Sequence, residues 1–172
     1  MLRHRSVCAI TAALLSGATF AEAKEAPGAR FIVKAVQGNL AEMQMGQLAQ
    51  QNGQSQEVKA FGQTLQQDHS AANQTNQKAT TVAQQLGVPA PTEPNKKQKA
   101  DYAKMSRTTG AGFDKAFAQH MVMDHKKDIA EYKKAAGMKS DPAAAYASET
   151  LPTLQTHLET AQSLAKPAAR TQ

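Results

Sequence analysis

Cysteine, aromatic residues and long apolar runs are all scarce in this sequence. Its one cysteine is Cys8, near the N-terminus, and aromatic residues make up 5% of the 172 residues. With no cysteine beyond residue 8, the folded domain cannot rely on disulfides, so a packed core must stabilise it. No run alternates between apolar and polar residues beside turn residues, as a strand would. We therefore expect an all-α protein.

The N-terminal segment has the pattern of a secretory signal peptide. Arg3 and Arg5 precede a mostly apolar stretch at residues 7–20, and Ala21 and Ala23 occupy the small-residue positions before a cleavage site. The stretch is too short to span a bilayer well, and no second apolar segment is long enough. We predict a signal peptide at 1–23, a flexible N-terminus at 24–28, a helical domain at 29–166 and a disordered tail at 167–172. The protein is then periplasmic or secreted, without a transmembrane segment after cleavage.

The net charge of +6 comes from 20 basic and 14 acidic residues. Nucleic acid is not the expected partner, because the basic residues are scattered and the protein is predicted to be exported. One local cluster contains Lys96, Lys97, Lys99, Lys104 and Arg107. Such a cluster either contacts an anionic lipid or glycan of the cell envelope or forms a solvated face.

Apolar residues recur at helical spacing along the rest of the chain. The pattern predicts long helices at residues 29–52, 55–86, 112–136 and 141–165, and a short helix at 95–107 after a proline-rich linker. Gly53, Gly87 and Gly137 end three of them, while Ser55 and either Ser140 or Asp141 cap two helix starts. Four long helices with heptad-like seams indicate a four-helix bundle, with the short helix in the long connection between helices 2 and 3. The direction of the third and fourth helices stays open.

An internal repeat ends twice in Asp-His. Six residues of the first copy have identical counterparts in the second: Lys59, Ala60, Phe61, Gln63, Asp68 and His69 match Lys115, Ala116, Phe117, Gln119, Asp124 and His125. A separation of seven residues returns to nearly the same helix face, so Phe and Asp should share a stripe, with His about 80° away. We expect Phe61 and Phe117 to be buried to a similar degree. Each copy should also bring an acid and a histidine to the core, where they must be paired or metal-bound.

Each long helix carries a polar candidate at mid-depth in the bundle. They are Glu42, then Asp68 and His69, then Asp124 and His125, then His157. Carboxylates and imidazoles that converge inside a bundle are typical of metal sites, here for zinc, iron or copper. Asp68 and Asp124 serve as ligands or as acceptors behind the ligands. The alternative is a structural polar network in which Asp and His satisfy one another. If metal binds, its affinity should fall below about pH 6 as unperturbed imidazoles take up protons.

The chain also resembles a known family. The residues that carry the resemblance are Glu42 within 31–49, the two Asp-His helices, and Leu151-Pro152-Thr153-Leu154 followed by His157-Leu158. They resemble a bacterial exported domain family of unknown function, whose members are often labelled predicted outer membrane proteins and are similar to ferritin-like bundles. The resemblance covers residues 31–165, and it implies a ferritin-like four-helix bundle without implying an activity.

Enzyme chemistry finds little support in the sequence. Di-iron bundles use Glu-x-x-His on two helices. Here Gln66, Phe117, Val122 and Leu154 stand three residues before the histidines, and none is Glu. Beyond residue 8 the chain also has no cysteine, and it has no strained nucleophile turn for hydrolysis. Two functions stay open: an exported metal-binding bundle, or a metal-free envelope or stress-associated protein that acts through its surface.

Overall fold

The structure is a computed structural model that describes residues 27–74 and 78–166. These residues form six helices and no strand: α1 (Pro27–Asn52), α2 (Gln56–Gln74), α3 (Ala79–Gln85), α4 (Lys96–Met105), α5 (Gly110–Ala136) and α6 (Pro142–Ala165). The expectation of an all-α helical bundle is confirmed. Within the described part of the chain, no helix combines the length and apolar character needed to cross a membrane. The predicted signal peptide and C-terminal tail lie outside the described residues.

Helices α2, α4 and α6 begin at side chains that accept hydrogen bonds from free backbone N–H groups. Ser55 accepts from the Val58 N–H at 3.3 Å. Asp141 accepts from the Ala143 N–H at 2.9 Å, with a proline as the first helical residue. Asn95 and Gln98 form a reciprocal capping box at the start of α4. The predicted helix starts are therefore close to the observed ones, because capping is a local interaction that the sequence specifies.

The predicted single helix at residues 55–86 is wrong. Helix α2 ends at Gln74, and α3 begins at Ala79. The Thr80 hydroxyl donates at 2.6 Å to the backbone carbonyl of Asn73, which in an unbroken helix would accept from the amide four residues further on. Polar side chains such as Asn and Thr offer the backbone these alternatives to helical bonds. The apolar stripe thus continues across a break in the helix.

Contacts at the start of α5 decide the direction of the helices. Asp114 accepts hydrogen bonds from the backbone N–H groups of Gln54 and Ser55, at 2.8 and 2.9 Å. Helix α5 therefore begins beside the turn between α1 and α2, and it runs parallel to α2. The chain between α2 and α5 must return along the bundle to reach this point. Helices α1 and α2 form one antiparallel pair, and α5 and α6 form the other.

Two apolar clusters form the core, with a polar layer between them. The first cluster includes Phe31, Ile32, Val36, Tyr132, Tyr146 and Leu154. The second includes Leu48, Phe61, Leu65, Phe113, Phe117 and Met121. Buried polar residues separate the two clusters along α1, α5 and α6, and along the stripe of buried residues that α2 and α3 share. These polar residues are Asn39, Glu42, His69, Asn73, His125 and His157. The polar layer therefore lies near mid-depth in the bundle.

Helices α1 and α2 cross closely at a pair of glycines. A Cβ atom at Gly62 would lie 2.6 Å from the carbonyl oxygen of Gly46 and 2.7 Å from the Cβ of Ala49. A Cβ atom at Gly46 would collide with the carbonyl oxygen of Gly62. Because both obstacles are on the backbone or next to it, neither can move aside without separating the helices.

Gly62→Ala is expected to lower the free energy of unfolding by about 1–3 kcal/mol, the usual cost of overpacking a tight contact. Gly112→Ala is the matched control, because a Cβ atom there meets nothing within 4 Å. That control should raise stability by about 0.5–1 kcal/mol, since alanine restricts the unfolded chain. Urea denaturation of both variants measures the difference. Equal stabilities would show that the close crossing is not important.

Candidate metal centre

Three buried histidines meet in the polar layer. The exposed fraction is 3% for His69, 1% for His125 and 1% for His157. One ring nitrogen of each lies within 4.8 Å of those of the other two. The ring centroids are 5.3–6.0 Å apart. Helices α2, α5 and α6 therefore each contribute one imidazole to a single cluster.

The two copies of the repeat bury their histidines and not their aspartates. Phe61 and Phe117 are 3% and 0% exposed, which confirms their predicted similar burial. However, the Asp68 side chain is 44% exposed, so the expectation that it joins the buried Phe stripe is wrong. The buried stripes advance four residues at a time, through Phe61, Leu65 and His69 and equally through Phe117, Met121 and His125. Each such step turns the stripe by about 40°, so the core-facing arc turns toward the histidines and leaves the aspartates at its edge.

Each imidazole points one ring nitrogen at an oxygen. His69 Nδ1 lies 3.0 Å from Asn39 Oδ1, and His157 Nε2 lies 2.9 Å from Asp68 Oδ2. His125 Nδ1 lies 3.0 Å from the backbone carbonyl oxygen of Met121. All three oxygens are acceptors, so these ring nitrogens carry the protons and donate. In the neutral rings, the remaining nitrogens are His69 Nε2, His125 Nε2 and His157 Nδ1, each with a free lone pair.

The remaining nitrogens lack donors among the described residues. His69 Nε2 is buried without a hydrogen-bond partner. His125 Nε2 lies 3.3 Å from His157 Nδ1, so that two lone pairs face one another. This contact is repulsive unless a cation or a proton lies between the nitrogens. Two ligand nitrogens on a tetrahedral zinc ion, with bonds of about 2.0–2.1 Å, are separated by about 3.3 Å.

Burial keeps the three rings neutral at pH 7. Desolvation lowers the pKa of His69 well below 6.5, and the nearby His125 and His157 lower it further. Burial is also the largest influence on His125 and lowers its pKa to about 4. It lowers the pKa of His157 as well, although the Asp68 carboxylate opposes the shift. Neutral imidazole is the form that binds metal.

Asn39 orients His69, although it was not among the residues predicted from the sequence. Its amide nitrogen donates to Asn73 Oδ1 at 2.8 Å and to the Tyr146 hydroxyl at 3.1 Å, which leaves its oxygen free to accept from His69. Asn39 is 2% exposed. An amide seven residues after Ile32 and three after Val36, on an apolar helix face, was the signal that could have identified it.

Glu42 and Asp124 do not join the three histidines. Glu42 Oε1 lies 3.9 Å from His125 Nδ1, which is the nitrogen that donates to Met121 and not the one that faces the cluster. Burial raises the pKa of Glu42 well above its usual value, and the charges of Asp124 and Asp128 raise it further. With its pKa near 4, His125 is neutral at pH 7, so its contact with Glu42 is not an ion pair.

Asp128 also belongs to this set of acidic residues, although it was not among the residues predicted from the sequence. Its pKa is raised to about 7, mainly by burial and then by the negative charge of Asp124. The positive charge of Lys127 has a smaller effect in the opposite direction. The six residues predicted as one cluster are therefore divided in the structure. Three histidines with Asp68 form one group, and Glu42 and Asp124 join Asp128 in the other.

Comparison with known proteins gives one informative match. A family model described as a domain of unknown function, DUF4142, matches residues 14–164. No curated protein and no solved structure matches the chain. The family description contains no activity, so the function must be argued from the geometry of the site.

Proposed function

We propose that this chain, which belongs to the DUF4142 family of domains of unknown function, binds a divalent transition-metal ion through His69, His125 and His157. The observation that carries the proposal is the direction of the three rings. Each ring donates one N–H to an oxygen, and of the other three nitrogens two face one another at 3.3 Å and the third, His69 Nε2, is buried without a partner. Imidazole ligands suit zinc, copper, iron and nickel.

The partners of the three rings are those that metal-bound histidines usually have. Such histidines almost always donate their second N–H to a carboxylate, a carbonyl or water, which orients the ring and makes it a better ligand. Here the acceptors are the Asp68 carboxylate, the Met121 carbonyl and the Asn39 amide oxygen. Asp68 is then an acceptor behind a ligand, in one of the two roles that the sequence suggested for it. Three protein ligands leave a fourth position for water or an exchanging ligand.

The alternative is a metal-free polar network. In that network a proton on His157 Nδ1 would bridge to His125 Nε2, and Asp68 would balance the charge at 2.9 Å. This arrangement accounts for two of the rings. It leaves the buried His69 Nε2 without a partner, and burial of His157 opposes the charged form. The metal therefore explains more of the observed geometry than the proton does.

The wider role that we propose is storage, buffering or delivery of the metal outside the cytoplasm. Export is supported by the signal-peptide pattern at residues 1–23, which lie outside the described part of the chain. A ferritin-like four-helix arrangement is supported by the parallel directions of α2 and α5, with α3 and α4 in the connection between them. For the basic residues of α4 a solvated face is favoured, since Lys97 pairs with Asp101 at 2.6 Å and Lys99 pairs with Glu93 at 2.7 Å.

Calorimetric titration of the metal-free protein with zinc, copper, iron and manganese tests the proposal. We expect one zinc or copper ion per chain and a higher melting temperature with metal, because an ion that binds only the folded state stabilises it. X-ray absorption should show three nitrogen ligands at about 2.0–2.1 Å for zinc. The proposal is rejected if a His69→Ala, His125→Ala double variant binds every metal as well as the unchanged protein does.

Zinc affinity is expected to persist to a lower pH than the sequence suggested. Protons compete with metal only as the pH approaches the pKa of the ligand, and the pKa of His125 is about 4 rather than 6.5. Affinity should therefore change little between pH 7 and pH 6 and should fall steeply as the pH approaches 4. Zinc titrations in buffers from pH 7 to pH 4 measure this profile. A midpoint at the ordinary imidazole pKa would show that burial does not perturb these ligands.

A further inference from the structure

We propose that Glu42, Asp124 and Asp128 form a second cation site, which binds a hydrated divalent ion such as Mn²⁺ or Mg²⁺ beside the histidine cluster. The site would be chemically distinct from the three imidazoles, because its ligands are carboxylate oxygens and water. The proposal does not depend on metal binding by the histidines.

The three carboxyl groups line a cavity of about 190 Å³ between α1, α4 and α5. The α1 wall includes Gly38, where a Cβ atom would still lie 4.0 Å from Asp128 Oδ2. No side chain at that position therefore fills the space in front of the Asp128 carboxylate. A cavity of this volume has room for an ion together with several waters.

A buried carboxylate oxygen in this cavity has no partner. Glu42 is 2% exposed, and its Oε2 atom accepts no hydrogen bond. Within residues 27–74 and 78–166, the only other buried side-chain polar atom without a partner is His69 Nε2, which the histidine site accounts for. Leaving a buried polar atom unpaired costs free energy. A bound cation with its water ligands would satisfy Glu42 Oε2.

Within the described residues, no lysine forms an ion pair with these three carboxyl groups, although the charge of Lys127 acts on Asp128 and Lys97 lies near Asp124. In the described part of the chain, the lysine ion pairs are Lys97 with Asp101 and Lys99 with Glu93, both in or beside α4. Glu42 Oε1 lies 3.9 Å from His125 Nδ1, which already donates to the Met121 carbonyl. A ligand that complements three neighbouring carboxyl groups without a direct ion-pair partner is expected to carry positive charge.

The composition of the site favours a hard ion that keeps part of its water shell. Carboxylate oxygens suit Mg²⁺, Ca²⁺ and Mn²⁺, whereas imidazoles suit zinc and copper. Mg²⁺ in particular loses water reluctantly and is commonly held by one or two carboxylates with several waters.

Manganese binding followed by electron paramagnetic resonance tests the second site. The His69→Ala, His125→Ala double variant, which lacks the histidine site, is titrated with Mn²⁺, and the loss of the free-ion signal gives the bound fraction. We expect saturable binding of one ion per chain. Adding Glu42→Gln or Asp128→Asn should each weaken it by about tenfold or more, because affinity depends on the number of charged ligands.

Glu159→Gln is the matched control, since Glu159 is exposed on α6 and does not line the cavity. It should leave Mn²⁺ binding unchanged, and circular dichroism should show that every variant is folded. The second site is wrong if Mn²⁺ binds the unchanged protein but not the double histidine variant, because the ion then occupied the histidine cluster. It is also wrong if Glu42→Gln, Asp128→Asn and Glu159→Gln all bind equally. Neither outcome affects zinc binding by the histidines, which is measured separately.

Discussion

His125→Ala is expected to weaken zinc binding by more than about 100-fold, beyond the loss that follows removal of a group behind a ligand. His125 is 1% exposed, and its Nε2 lies 3.3 Å from His157 Nδ1, where two ligands of one ion should lie. Removing the His125 ring leaves two imidazole ligands, and the alanine side chain has no nitrogen that could replace the third. Competition against a chromophoric chelator measures the affinity.

Two further variants make this result specific. His120 lies on the same helix and lines the neighbouring cavity, but it takes no part in the histidine cluster. The His120→Ala variant should therefore bind zinc normally. Asp68→Ala removes the acceptor of His157 and should weaken binding by about 10–100-fold. If His120→Ala and His125→Ala lose affinity equally, zinc binds elsewhere and the assignment of the ligands fails.

Phe117→Ala is expected to lower the free energy of unfolding of the metal-free protein by about 3–5 kcal/mol. Phe117 is 0% exposed, stacks on Phe113 with ring centroids 5.5 Å apart, and meets Phe61 edge-on at 6.1 Å. Truncation removes apolar contacts and leaves a cavity between helices that the surrounding rings cannot fill completely. Urea denaturation with a chelator present measures the change.

Met123→Ala is the control for this second prediction, because Met123 is 65% exposed on the same helix. It should change stability by less than about 0.5 kcal/mol. Similar losses for Phe117→Ala and Met123→Ala would mean that the half of the core around Phe117 is not packed as the structure describes. Phe61→Ala should behave like Phe117→Ala, since the two rings are in contact.

Local features were predictable from the sequence because they depend on neighbours along the chain. Ser55 and Asp141 cap helices by accepting from backbone N–H groups two or three residues later. Apolar spacing likewise indicated the long helices and placed polar residues near the middle of each. The one long helix that was predicted incorrectly, at residues 55–86, breaks where Thr80 donates to the backbone of Asn73. The spacing of apolar residues does not show that a side chain competes with the helix for a backbone hydrogen bond.

The division of the polar layer could not be predicted from helix periodicity. Depth along the axis brought Glu42, His69, His125 and His157 to one level, but depth does not state which side of a helix faces which neighbour. The turn of the buried stripes placed the histidines together and Asp68 at the edge. Asn39 and Asp128 were missed because an amide or an acid on a helix shows its role only through partners on other helices.

By itself, the sequence determined an all-helical protein with most of its helix boundaries, buried Phe61 and Phe117, and a polar layer at mid-depth. These properties follow from local hydrogen bonding and from the period of one helix. Only the tertiary structure decided that α2 and α5 run parallel and that the three imidazoles form a cluster without Glu42 and Asp124. It also decided that each imidazole has an oxygen behind it. Those properties depend on distances between helices that are far apart in the chain, and packing sets these distances to within a few ångströms.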